Sequence, residues 1–102
     1  MELKNQVITI AKQLENPDLI DWVDENEQSA FDYLHDALDI QYIVDSKKEY
    51  LGARILVTFG GPNIWINTQY NKVEGYWGTD TEIWSYKDEL GIDGACRDLF
   101  DC

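Results

Sequence analysis

The amino-acid sequence predicts a single α+β domain over residues 1–102, in which N-terminal helices pack on a three- to five-stranded antiparallel sheet followed by a short C-terminal helix. Three observations carry this prediction. Apolar residues recur at helical spacing up to about residue 39. From Asp39 onward β-branched and aromatic runs alternate with turn residues, the pattern of an antiparallel meander. The chain has 102 residues, 44% of them hydrophobic, so it supports one core, and no internal repeat or linker divides it.

Leu3, Val7, Ile10, Ala11 and Leu14 place a helix over residues 3–15, which Asn16-Pro17 ends. Asn16 is positioned to cap a second helix with Pro17 as its first residue and Leu19, Ile20 and Val23 as its apolar side. The pattern lapses from Asn26 to Ser29, so a break or kink is expected before Ala30, Phe31, Leu34, Ala37 and Leu38 resume the stripe. On this reading the first 39 residues are helical overall. Strands are expected near 40–45, 50–59, 63–68 and 72–77, with turns at Asp45–Lys48, Gly60–Asn63 and Gln69–Asn71. In the second strand Ala53, Ile55, Val57 and Phe59 alternate with Arg54, Leu56 and Thr58, so one face is apolar and turns toward the helices. Ile64 and Ile66 continue that face, while Trp65, Asn67, Glu74 and Tyr76 lie on the other. A short fifth strand is expected over Thr81–Tyr86, and a helix over Asp88–Phe100 interrupted by Gly91 and Gly94.

Charge is the most informative feature. Twenty Asp and Glu face eight Lys and Arg, giving a net charge of −12. Between Lys12 and Lys47 there is no Lys or Arg, yet ten acids fall in that gap. A helix built for stability alone would mix signs, because Glu-to-Lys pairs four apart contribute about 0.2–0.5 kcal/mol and like charges cost similar amounts. Asp18, Asp21 and Asp24 recur every three residues, and Asp32, Asp36 and Asp39 follow i, i+4, i+7 opposite Leu34 and Leu38. On helices each set would form an exposed row. Neighbouring carboxylates would then stand about 5–6 Å apart by their Cβ atoms, close to the spacing of phosphates along a nucleic-acid strand. Together with Glu25 and Glu27, these rows are the expected contact surface for a basic protein partner. The same field would steer encounter with such a partner.

Other chemistries find little footing. No calcium-loop, phosphate-loop or dinucleotide motif occurs, and His35, Cys96 and Cys102 do not form a zinc set on spacing. One histidine in a helix of acidic neighbours gives no triad, so no catalytic residue, metal ligand or cofactor is assigned and the chain is read as a non-enzyme. Basic patches are absent, which disfavours direct nucleic-acid binding. The aromatic group Trp65, Tyr70, Tyr76, Trp77, Trp84 and Tyr86 is expected mostly to fill the core, with Trp65 and Tyr76 as a secondary binding surface on the far sheet face. The first residues lack a signal-peptide pattern and no stretch approaches transmembrane length, so a cytoplasmic protein with reduced thiols is expected.

The stretch GGPNIWINTQYNKVEGYWGTD, Gly60 to Asp80, resembles a pattern found in small acidic proteins of unknown function carried by bacterial mobile elements and phages. Such elements often carry inhibitors of restriction enzymes or CRISPR effectors, several of them acidic proteins that occupy a DNA-binding channel. The resemblance implies an acidic inhibitor of a nucleic-acid-binding protein. An immunity protein that neutralises a basic nuclease toxin uses the same physics, and an aromatic sugar- or peptide-binding module is a third reading.

Overall fold

Helix α1, Leu3–Glu15, buries Val7, Ala11 and Leu14, an i, i+4, i+7 stripe that keeps one side of the helix against the sheet. The computed structural model describes residues 2–102, and the remaining elements follow in order: a 3-10 turn at Pro17–Leu19, α2 at Ala30–His35, β1 at Asp39–Val44, β2 at Tyr50–Thr58, β3 at Asn63–Asn67, β4 at Lys72–Trp77, β5 at Asp80–Ser85 and α3 at Ile92–Phe100. The five strands form one antiparallel sheet in sequence order. The chain is thus an α+β fold, and the predicted strands lie within one or two residues of their places.

The register fixes the two faces. Ile40, Ile55, Ile66, Val73 and Trp84 align across the sheet on the helix-covered side, and Leu56, Trp65, Glu74 and Ile83 align on the open side. Leu14, Ile55, Ile64, Ile66, Ile92, Val7 and Val73 are fully buried in one core that also takes Ala30 and Leu34 of α2. Each large side chain buried there contributes about 1.5–3 kcal/mol. Two glycines permit close approach. At Gly75 a Cβ would stand 2.5 Å from Val7 Cγ2, so α1 rests directly on the β4 backbone. At Gly52 it would stand 2.7 Å from the backbone nitrogen of Gln69, where the β3–β4 turn crosses β2.

Helix α3 is held by carboxylates. Asp88 accepts hydrogen bonds from the backbone N–H groups of Gly91, Ile92 and Asp93, which satisfies donors at the start of the helix. Asp93 in turn accepts from the Tyr50 and Thr68 hydroxyls, both at 2.7 Å, and so ties the helix to the sheet. Gly91 precedes α3 and does not interrupt it, while Gly94 lies inside it.

Three expectations are corrected. The first 39 residues are not helical overall: after the 3-10 turn, residues 20–29 form irregular structure, and Asn16 makes no side-chain cap. Val23, the proposed apolar side of a second helix, is 95% exposed, so nothing rewards helix formation there. Helix α2 stops at His35, so Leu38 leaves the stripe and is 60% exposed. Phe59 also departs from its face. A register irregularity between Leu56 and Thr58 breaks the alternation, and Phe59, just past the end of β2, is 73% exposed.

Candidate interaction groove

The acidic rows expected on helices do not exist as rows. Asp18 sits in the 3-10 turn, Asp21, Asp24, Glu25 and Glu27 in the irregular segment, Asp32 in α2, Asp36 at its C-terminal cap, and Asp39 at the start of β1. The fold nevertheless gathers five of them. Asp21, Asp24, Glu27, Asp32 and Asp36 line a groove of about 610 Å3 between the 20–27 segment and α2. Asp18, Glu25 and Asp39 lie outside it. Its apolar lining is Ile20, Trp22, Val23, Phe31, Tyr33, Ala37 and Val57. No Lys or Arg lines it, and His35 is its one basic side chain.

Short-range bonds hold this loop in shape. Ile20 N–H donates to Pro17 O, and the Trp22 indole N–H donates to the same carbonyl at 3.0 Å, pinning the segment back on the 3-10 turn. Asp24 accepts from Asn26 N–H at 2.9 Å, and Glu27 N–H donates to Asp24 O. Ser29 and Asp32 then form a reciprocal capping box: the Ser29 N–H and hydroxyl donate to Asp32 Oδ2, and Asp32 N–H donates to Ser29 Oγ. These bonds hold the Asp32 carboxyl below the ordinary carboxylate range. Tyr33 lines the groove and packs against the core, and burial pushes its hydroxyl up to about 12.

The five carboxylates therefore divide. Asp24 and Asp32 satisfy local backbone donors, whereas Asp21, Glu27 and Asp36 carry no side-chain hydrogen bond or ion pair among the described residues. A smaller recess of about 520 Å3 beside Trp77, Asp80 and Glu82 also has acids, but Lys4 lines it and offsets part of their charge.

On the open sheet face Trp65 and Tyr76 lie as expected, both half-buried. The Arg54 guanidinium stands 4.3 Å from the Trp65 ring centroid, and its Nε lies 3.5 Å from Glu74 Oε1, a contact that lacks hydrogen-bond geometry. Trp65 is thus covered in part by a residue of its own chain. The expectation that the other four aromatics of that group fill the core is corrected: Tyr86 is buried in it, whereas Tyr70, Trp77 and Trp84 are exposed.

Sequence reasoning missed Trp22, Phe31 and Val57 as groove residues. Trp22 offered a signal, an aromatic among acids, but Val57 comes from a strand distant in sequence and offered none. Both cysteines are unbridged, Cys96 buried and Cys102 exposed. Among the described residues no group of three or more His, Cys, Asp or Glu is placed to hold a metal ion, and no helix is long and apolar enough to cross a membrane. Comparison with known proteins finds no matching protein family, curated protein or solved structure.

Proposed function

We propose that the chain is a cytoplasmic, non-enzymatic inhibitor that occupies the basic surface of a nucleic-acid-binding protein and excludes nucleic acid from it, in the manner of an anti-restriction or anti-CRISPR protein. One observation carries this reading: five acidic residues line a groove with no Lys or Arg in its lining. Like charges kept this close repel, and a surface selected for stability alone would interleave cations. Lys and Arg side chains that normally grip phosphates would find carboxylates in their place. Because the acids line a groove, they suit side chains that project from the partner, and mimicry here means supplying anionic ligands one by one.

The test uses Asp21→Asn/Glu27→Gln/Asp36→Asn, which removes the three unbonded charges and spares the capping box. Both this variant and Trp65→Ala/Tyr76→Ala are first checked for folding by circular dichroism. The immobilised parent should capture nucleic-acid-binding proteins from a bacterial lysate and release them to excess duplex DNA or on raising salt from about 50 to about 200 mM. The triple variant should capture far less and the aromatic variant nearly as much as the parent. Equal capture by the triple variant at physiological salt, with loss in the aromatic variant, would move the site to the open sheet face. Capture of a nuclease indifferent to added DNA would favour toxin neutralisation instead.

A further inference from the structure

Twice the fold sets an arginine against an aromatic ring beside a carboxylate. The Arg54 guanidinium lies 4.3 Å from the Trp65 ring, with Glu74 3.5 Å away. The Arg97 guanidinium lies 4.9 Å from the Tyr50 ring, whose hydroxyl donates to Asp93. The groove brings together the other two members of this arrangement without an arginine of its own: Trp22 and Phe31 beside Asp21, Glu27 and Asp36. Phe31 is 48% exposed in the first turn of α2, and Ile20 and Val57 extend the apolar wall.

We infer that this groove selects arginine over lysine, and that its occupant is a segment of the partner carrying arginines interleaved with apolar side chains. The inference rests on the proposed function for the location of the site and adds the chemistry of what enters it. Charge alone does not separate the two cations, so the apolar wall is the deciding feature. A guanidinium is weakly hydrated; it stacks on an aromatic ring while its edge donates to carboxylates. An ammonium is strongly hydrated and must shed water to enter beside Trp22 and Phe31. Apolar residues between the arginines would cover Ile20 and Val57, which a purely polar basic segment would leave wet.

Calorimetric titration of the intact protein with two peptides tests this. The peptides are identical except that one carries arginine and the other lysine at alternate positions between leucines, and salt is about 50 mM, low enough to leave surface attraction only partly screened. The arginine peptide should bind at least about fivefold tighter and shift the Trp22 indole N–H resonance. In Phe31→Leu, which keeps the wall apolar but removes the ring, the ratio should fall to within about twofold through weaker arginine binding. Equal affinities for the parent would overturn arginine selection and leave the acidic-inhibitor reading standing. Binding of neither peptide would overturn both. Arginine-selective binding that leaves Trp22 unmoved and survives Asp21→Asn/Glu27→Gln/Asp36→Asn would place the selectivity elsewhere and overturn the assignment to this groove.

Discussion

Asp32 and Asp36 stand four residues apart with the same charge, yet they do different work. Asp32 closes the capping box with Ser29, and Asp36 follows the last turn of α2 with its carboxylate unbonded. An acid that caps a helix needs no partner outside the chain, so only acids of the second kind count toward a binding surface. Ser29→Ala should destabilise the protein by about 1 kcal/mol in urea unfolding at pH 7, the usual cost of losing a helix cap. The pH dependence follows from Asp32. Its folded pKa lies below the ordinary 3.8, chiefly through the Ser29 hydroxyl bond, so the stabilisation is present above 3.8 and is lost as pH falls through the lowered value. The difference between parent and Ser29→Ala should therefore narrow on acidification below about pH 3.8; a gap that stays constant there would show that Asp32 ionisation has no part in the cap.

At the scale of elements, burial decides which segments become helices. Helix α1 forms because Val7, Ala11 and Leu14 find β4 and β5 beneath them, and Gly75 lets the helix approach. Gly75→Ala should cost about 1–3 kcal/mol, since its methyl meets the fully buried Val7 at 2.5 Å and Leu3 at 2.8 Å. Gly94→Ala supplies the contrast. That position is exposed within α3 with nothing within 4 Å of a Cβ, so the change should stabilise by about 0.4–1 kcal/mol. Equal effects at the two glycines in urea unfolding would refute the close docking of α1 on β4. Residues 20–29 combine an exposed Val23 with clustered acids and lack both a buried stripe and a favourable charge pair, so turn hydrogen bonds prevail.

Across the whole molecule, a net charge of −12 opposes compaction, and the groove concentrates part of that repulsion. Raising ionic strength from about 10 mM to about 150 mM, which shortens the Debye length from about 30 Å to about 8 Å, should raise Tm. Asp21→Asn/Glu27→Gln/Asp36→Asn should raise Tm at the low-salt end and show a shallower salt response. A parent Tm that stays flat or falls would show that the carboxylates are not under mutual strain. If the variant gains stability while losing partner capture, the groove's charge is a cost borne for binding.

The sequence alone determined the order of elements, the strands and their two faces, because helix and strand periodicity are local properties of side-chain spacing. Ile55 and Ile66 turned inward and Trp65 and Glu74 outward as alternation requires. Ten uncompensated acids were equally legible, since charge needs no folding to be counted. Tertiary structure decided what those acids become. Whether a short polar segment such as 16–29 is helix or loop depends on whether its few apolar residues find a surface to cover, and Leu19 and Val23 stay exposed. Only folding could bring Asp21 and Glu27 to one groove with Asp36 and Val57, because that meeting is set by how the irregular segment comes to lie beside α2 and β2 and not by any repeat in the chain.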